Sequence, residues 1–373
     1  MSTCGIPSTP VELRSYILRQ LPMIEDVLSA IQSSRSLYEA LQEDNTIVAY
    51  VLHKQIDSKL LPYAAAFLEL DRAPRIKLHH KDVSLILERC FSGTTSQASE
   101  QLARIALREA LHVTDLHKAI QKFTTKYSAQ ALSHLQDEKP LKSSMRSFSH
   151  SEIYRIERSF YTYEVYCSLF GQSRSRLSLN DQLDVFFKQF TPWENEQLAC
   201  VLEFLLEELK LAFNEVAAHD INFGELSIPW VGDESSWIQG YLSLGVKYLE
   251  KVTTASTYEE RHRLLDEKLS LANTQPALAD CLIELNDLYL GGTDELDDHA
   301  MHQLRQLPSQ YAACDPDTGP AEIWFQAHEG DHSTQYVLAE PYRASRKVGY
   351  VMMNLSRKQD MTSFDGSQKS IEW

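Results

Sequence analysis

Apolar side chains recur along this chain at steps of three and four residues. Leu13, Ile17 and Leu21 line one face of a first segment, and Ile24, Val27, Leu28 and Ile31 continue the pattern after a break at Pro22. Ile153, Ile156, Phe160, Tyr163, Cys167 and Phe170 follow the same spacing, as do Leu198, Val201, Leu202, Leu205, Leu209 and Phe213. Trp237, Tyr241, Leu244 and Tyr248 form a further stripe, and Leu278, Leu282, Leu285 and Leu288 another. A helical period places each set along one side of an α-helix, so each helix is expected to bury that stripe and solvate the opposite face. No stretch shows a comparable run of strict alternation, the mark of a half-buried strand.

Helix starts are marked as well. Thr9-Pro10-Val11-Glu12 offers a cap hydroxyl, a proline at the first helical position and a Glu three residues after the cap, so that two N–H groups are satisfied reciprocally. Thr191-Pro192-Trp193-Glu194 repeats the device, and Ser149 with Glu152 and Thr257 with Glu260 offer two more. Two stretches lack the period. Residues 137–147 are polar and basic (Lys139, Pro140, Lys142, Ser143, Ser144, Arg146) and are expected to link two units, and residues 357–369 are polar and expected to fray. No repeat of fixed period is present. The expected fold is all-α, a multi-helix globular array with an irregular C-terminal segment. Residues 1–70 are expected to form an N-terminal helical unit, 71–136 connecting helices, 148–355 a helical body and 356–373 a flexible tail.

Composition agrees with this pattern. A chain of 373 residues with 43% apolar and 10% aromatic side chains has ample material for a core. Its 13 Gly and 13 Pro are few for an all-β protein, which needs a turn about every ten residues. The formal charge of −16 repels phosphate backbones and anionic lipid, so neither nucleic acid nor a membrane is an expected partner. Residues 1–10 hold no basic and apolar leader, and the greasiest stretches, 60–70 and 201–213, are too short or too charged to span a bilayer. A cytoplasmic or nuclear protein is expected. The six cysteines, Cys4, Cys90, Cys167, Cys200, Cys281 and Cys314, form no CxxC pair and read as buried free thiols.

Pro10, Glu12, Leu13, Ile17, Leu18, Leu21, Pro22, Val27, Ile31, Ser34 and Tyr38 follow a known order: a Leu-Pro-x-Glu-Leu start, an Ile-Leu pair, a second Leu-Pro, then spaced apolar residues ending near a Ser and an aromatic. In this the first 60 residues resemble an F-box. Thr9 stands where that family has its first Leu, which removes one apolar contact. Further likeness is carried by Leu37-Tyr38 through Val51-Leu52, Gln55-Ile56 to Leu60-Leu61-Pro62, Glu157-Arg158-Ser159-Phe160-Tyr161 and Glu164-Val165-Tyr166-Cys167. Phe190, Pro192-Trp193-Glu194, Glu196-Gln197-Leu198, Gly319-Pro320, Trp324 and Gly349-Tyr350-Val351-Met352 complete it. Through these the chain resembles a large group of uncharacterised fungal helical proteins often described as F-box-like. Met353-Asn354 replaces the usual Trp-Asp of that group. The resemblance implies an F-box-like N-terminal unit whose apolar set Pro10, Leu13, Ile17, Leu18, Leu21 and Pro22 is in part left over to bury against a Skp1-type adaptor. It implies no settled activity.

Candidate chemistry is thin. His328-Glu329-Gly330-Asp331-His332 fits H-E-x-x-H, in which two His one helical turn apart hold zinc and the Glu activates water. Gly330 costs about 1 kcal/mol in a helix, and no third ligand follows, so a surface loop without metal is expected. The acidic run Asp294-Glu295-Leu296-Asp297-Asp298, after Asn286-Asp287, invites a magnesium-diphosphate reading, but Leu290 and Asp294 fall where Ser and Glu are needed. A solvated loop is expected there instead. Tyr161, Tyr163, Tyr166 and Phe170, with Phe190 and Trp193, suit either a ligand pocket or a packed core, and their helical spacing favours the core. Glu157, Arg158 and Glu164 suit ion pairs along one helix. No Gly-rich phosphate loop, nucleophile elbow or recognisable Ser/His/Asp arrangement is present, so no catalytic residue and no cofactor is named. The expected function is that of a non-catalytic interaction protein, an F-box-like adaptor joined to a helical body. The alternative is a helical enzyme or small-molecule binder of fungal metabolism with its pocket among the aromatic helices. An enclosed cavity with converging ionisable groups favours the second; a filled core with an exposed apolar patch favours the first.

Overall fold

A computed structural model of the chain describes residues 9–73, 78–91, 95–138, 146–171, 177–223, 234–268, 278–289, 298–307, 309–312, 314–329 and 337–357. These residues are all-α, with no β-strand among them. No helix among them is long and apolar enough to cross a membrane. They group into two compact units, residues 1–74 with 85–119 and residues 75–84 with 120–373. Residues 139–145 of the expected linker and 358–373 of the expected tail lie outside the described residues.

The helices of the N-terminal part are α1 (Val11–Gln20), α2 (Ile24–Ser33), α3 (Arg35–Glu43), α4 (Ile47–Gln55), α5 (Leu61–Arg72), α6 (His80–Phe91), α7 (Thr95–Leu102) and α8 (Leu107–Glu138). Residues 107–119 of α8 belong to the first unit. Helix α1 packs on α3 and α4, α2 packs on the same two, and α5 packs on α7. Leu18, Ile24, Val27, Ile47, Val51 and Leu52 are fully buried between the first four helices. Each removes apolar surface from water at roughly 25 cal/mol per Å². Pro10, with extended backbone, caps α1, and no side chain bonds the free N–H groups there. The hydroxyl of Thr9 therefore does not serve the role its position suggested. Leu21 ends the helix, its N–H turning back to the Leu18 carbonyl just before Pro22.

The second unit is built on α9 (His150–Phe170) and α11 (Pro192–Phe223), which pack along each other. Around them lie α10 (Leu179–Val185), α12 (Glu234–Leu242), α13 (Val246–Thr254), α14 (Tyr258–Asp266), α15 (Leu278–Tyr289), α16 (Asp298–Arg305), α17 (Gly319–Ala327) and α18 (Arg343–Lys347). Phe123 of α8, Phe160 of α9 and Phe204 of α11 meet with ring centroids 5.9–6.0 Å apart. Tyr166 and Phe170 pack against Phe186 and Phe187 in a second aromatic group. Tyr161, Tyr163, Tyr166, Phe170, Phe190 and Trp193 are all buried, as core.

Local signals act as physical chemistry requires. Ser149 and Glu152 close a full capping box at α9, and Ser178 with Asp181 closes another at α10 that was not expected from the sequence, with Asp in place of the usual Glu. At α14 the Thr257 hydroxyl accepts the Glu260 N–H, and at α11 Glu194 accepts the Thr191 N–H at 2.8 Å. The stripe from Trp237 to Tyr248 is divided between α12 and α13. Gly245, at φ +86°, takes a backbone conformation that side chains disfavour and sets the break between them.

Candidate functional site

Helix α1 has apolar residues on both sides, and packing uses only one. Leu18 is 0% exposed, whereas Leu13, Tyr16 and Ile17 are 53%, 61% and 43% exposed. Leu21 is half-buried, and Pro10 and Pro22 are exposed. At 100° per residue Leu13, Tyr16 and Ile17 are neighbours on the solvent side, and Leu18 lies well round the helix from Leu13. The expected partner set therefore divides: Leu18 closes the unit from inside, and Pro10, Leu13 and Ile17 remain available. Tyr16 joins them, although the three-four spacing from Leu13 to Ile17 to Leu21 passes over it.

Polar bonds anchor this helix at its flanks. Arg14 Nη1 donates to the Ser36 carbonyl at 2.7 Å, Arg19 Nη2 donates to Asp44 at 2.8 Å, and Lys54 Nζ donates to the Arg19 carbonyl at 2.7 Å. These ties to α3, α4 and the turn between them fix α1 without covering its outer row. An apolar row on an anchored helix is suited to burial against a protein surface, since little further ordering opposes contact. It carries no nucleophile and no acid–base pair.

A second arrangement, in the second unit, was not anticipated from the sequence. The polar faces of α9 and α11, expected in solvent, are buried beneath residues of 309–312, 314–329 and 337–357. Arg155 pairs with Asp315 through two bonds of 2.6 and 2.8 Å, reaches Asp317 at 3.1 Å, and donates to the Met352 carbonyl and to Asn354. Arg158 donates to Gln197 at 2.6 Å, approaches Asp315 at 3.5 Å and lies 3.6 Å from the Tyr311 ring. Its bonds thus reach beyond its own helix, unlike the pairing its spacing suggested. Arg357 pairs with Glu152 at 2.7 and 2.8 Å. Arg346 pairs with Glu203 at 2.8 and 3.0 Å and with Glu196 at 3.0 Å. Glu194 accepts from the Ser309 hydroxyl at 2.5 Å.

Buried charges of this kind persist only when matched. Burial pushes the Glu152 carboxyl up, but Arg357 and the N–H groups of Ser149 and Asn354 outweigh it and hold it below the usual range. Burial likewise opposes the charge on Arg346, and Glu196 and Glu203 outweigh it and raise its pKa. The seam is a clamp that fastens the C-terminal segment to α9 and α11. Glu152, held low in this way, is poorly suited to take up and release protons near neutral pH, whereas at Glu196 burial outweighs Arg346 and raises the carboxyl.

The remaining candidates resolve plainly. His328 lies just past the end of α17, buried, with its ring 4.2 Å from that of Trp324 and 4.1 Å from that of Tyr342, and its Nδ1 2.9 Å from the Trp324 carbonyl. The first His of the H-E-x-x-H run is therefore a packed side chain outside a helix; Gly330, Asp331 and His332 lie outside the described residues. Among the described residues no group of three His, Cys, Asp or Glu is placed to hold a metal ion. Asp294, Glu295, Leu296 and Asp297 also lie outside the described residues. Cys90, Cys167, Cys200 and Cys281 are buried free thiols and Cys314 is partly exposed; Cys4 lies outside the described residues. Burial pushes the Cys281 thiol up to about 11 and those of Cys167 and Cys200 well above their ordinary value, which makes them poor nucleophiles.

Comparison with the sequence patterns of known families, with curated proteins and with solved structures finds no match.

Proposed function

We propose that the chain is a non-catalytic interaction protein that docks a protein partner on the outer face of α1, and that this partner is a Skp1-type adaptor. The observation that carries the reading is the exposed row Leu13, Tyr16 and Ile17 on a helix anchored by Arg14, Arg19 and Lys54. The order of residues from Pro10 to Tyr38, which resembles an F-box, supports the choice of adaptor. Burying one large aliphatic side chain is worth about 1.5–3 kcal/mol, roughly a ten- to hundredfold change in affinity. The formal charge of −16 favours protein over nucleic acid as the partner. A cytoplasmic or nuclear location goes with this reading.

The test is capture of a Skp1-type adaptor by the intact chain, by Leu13→Asp/Ile17→Asp and by Leu18→Ala. The intact chain is expected to capture it and the first variant to fail while keeping its melting temperature. Leu18→Ala removes a fully buried side chain and is expected to cost about 2–5 kcal/mol of stability. It therefore reports on folding rather than on the interface. Capture undiminished in the folded double variant would remove α1 from the interface, and no capture by the intact chain would overturn the adaptor reading.

A further inference from the structure

In the second unit, a cleft of about 350 Å³ opens between α8, α11 and α18. Its floor is apolar and closed: Tyr127, Cys200 and Phe204 line it and are buried, with the Tyr127 and Phe204 rings edge-on at 5.3 Å. The Tyr127 hydroxyl is fixed by donation to the Arg346 carbonyl at 3.2 Å. Gly349, at φ +69°, lets the turn after α18 come this close, since a Cβ there would meet that hydroxyl oxygen at 2.8 Å. The floor is thus held in place by the fold rather than shaped by an occupant.

Three cations line the cleft against two carboxylates. Arg346 is committed to Glu203 and Glu196, and Arg343 to Glu207 at 2.9 Å. Lys347, exposed at the cleft, is the one of these cations without a carboxylate partner among the described residues. Ser133 and His134 add exposed polar groups on the α8 side.

We infer that this cleft binds a small monocarboxylate with an apolar body, the carboxylate held by Lys347 and the body resting on Tyr127 and Phe204. A phosphate ester suits it less, because a second negative charge would face Glu203 and Glu207 with no further cation to meet it. An amine would have to displace Arg343 or Arg346 from those same carboxylates. The volume falls within the range of small-molecule sites. This inference goes beyond the adaptor reading and does not depend on it.

The experiment is calorimetric titration of the full chain with 3-phenylpropanoate, with the isosteric 3-phenylpropanamide and with 3-phenylpropylamine. The carboxylate is expected to bind with a dissociation constant of roughly 1 mM or tighter, and the amide about tenfold more weakly. Lys347→Gln, an exposed change that leaves the buried floor intact, is expected to bring the carboxylate down to the level of the amide without altering the amide. Absence of carboxylate binding, equal or better binding of the amide or the amine, or an unchanged affinity in Lys347→Gln would each overturn the inference.

Discussion

Glu164 on α9 has its carboxyl enclosed by protein, where Oε2 accepts the Val246 N–H at the start of α13 at 2.6 Å. The neighbouring Gly245 leaves room for it, since a Cβ there would come within 2.6 Å of the same oxygen. Burial pushes Glu164 up to about 7 from its ordinary 4.5, outweighing the lowering by the Val246 N–H and by Lys247. Tyr163 and Cys167 on the same helix add no positive charge nearby. Because the folded chain holds this proton more tightly than the unfolded one, its stabilising contribution is complete below pH 4.5 and is lost as pH rises through 7. Glu164→Gln keeps an acceptor for Val246 without the charge. Denaturant unfolding between pH 4 and 8 is expected to show the parent losing on the order of 1–3 kcal/mol relative to the Gln variant across that rise. Parallel stability curves would refute the assignment. At this scale the sequence misled: Glu164 suggested a pair along its own helix, but its partner lies 82 residues away.

At the scale of elements, the three-four spacing and the capping pairs made the helices legible, because both depend on neighbours within one or two turns. Spacing also located the stripes of α9 and α11, from Ile156 and Phe160 to Leu198 and Leu209, all buried. It did not reveal that Glu152, Arg155, Arg158, Glu196 and Gln197 on the other faces are buried too. Polar residues on a helix imply solvent unless a partner is known, and Arg155 finds Asp315 at a separation of 160 residues. The clamp has a direct consequence. Arg357→Ala leaves Glu152 buried without its cation, a loss expected to cost about 3–5 kcal/mol. Hydrogen–deuterium exchange is expected to quicken in residues 350–357 and at the start of α9 while α1 to α4 keep their protection. Unchanged exchange in residues 350–357 would mean that the seam does not fasten the segment.

At the scale of the whole molecule, the first unit exposes an apolar row and the second buries its charges in matched sets. The all-α class was readable because it is the sum of local periods. The candidate docking face was less so, because periodicity on α1 marks Leu13, Ile17 and Leu18 alike as apolar, and only the packed structure separates Leu18 inside from Leu13 and Ile17 outside. The clamp accounts for the buried charges of the second unit without a substrate, and the α1 face brings the exposed Leu13, Tyr16 and Ile17 together in one row. The most direct test is calorimetric titration of a purified Skp1-type adaptor into the intact chain and into Ile17→Asp. The account predicts saturable one-to-one binding at roughly micromolar strength or tighter, weakened about tenfold or more by Ile17→Asp with no change in melting temperature. No association of the folded intact chain at roughly 50 μM, or equal affinity in the folded variant, would contradict it.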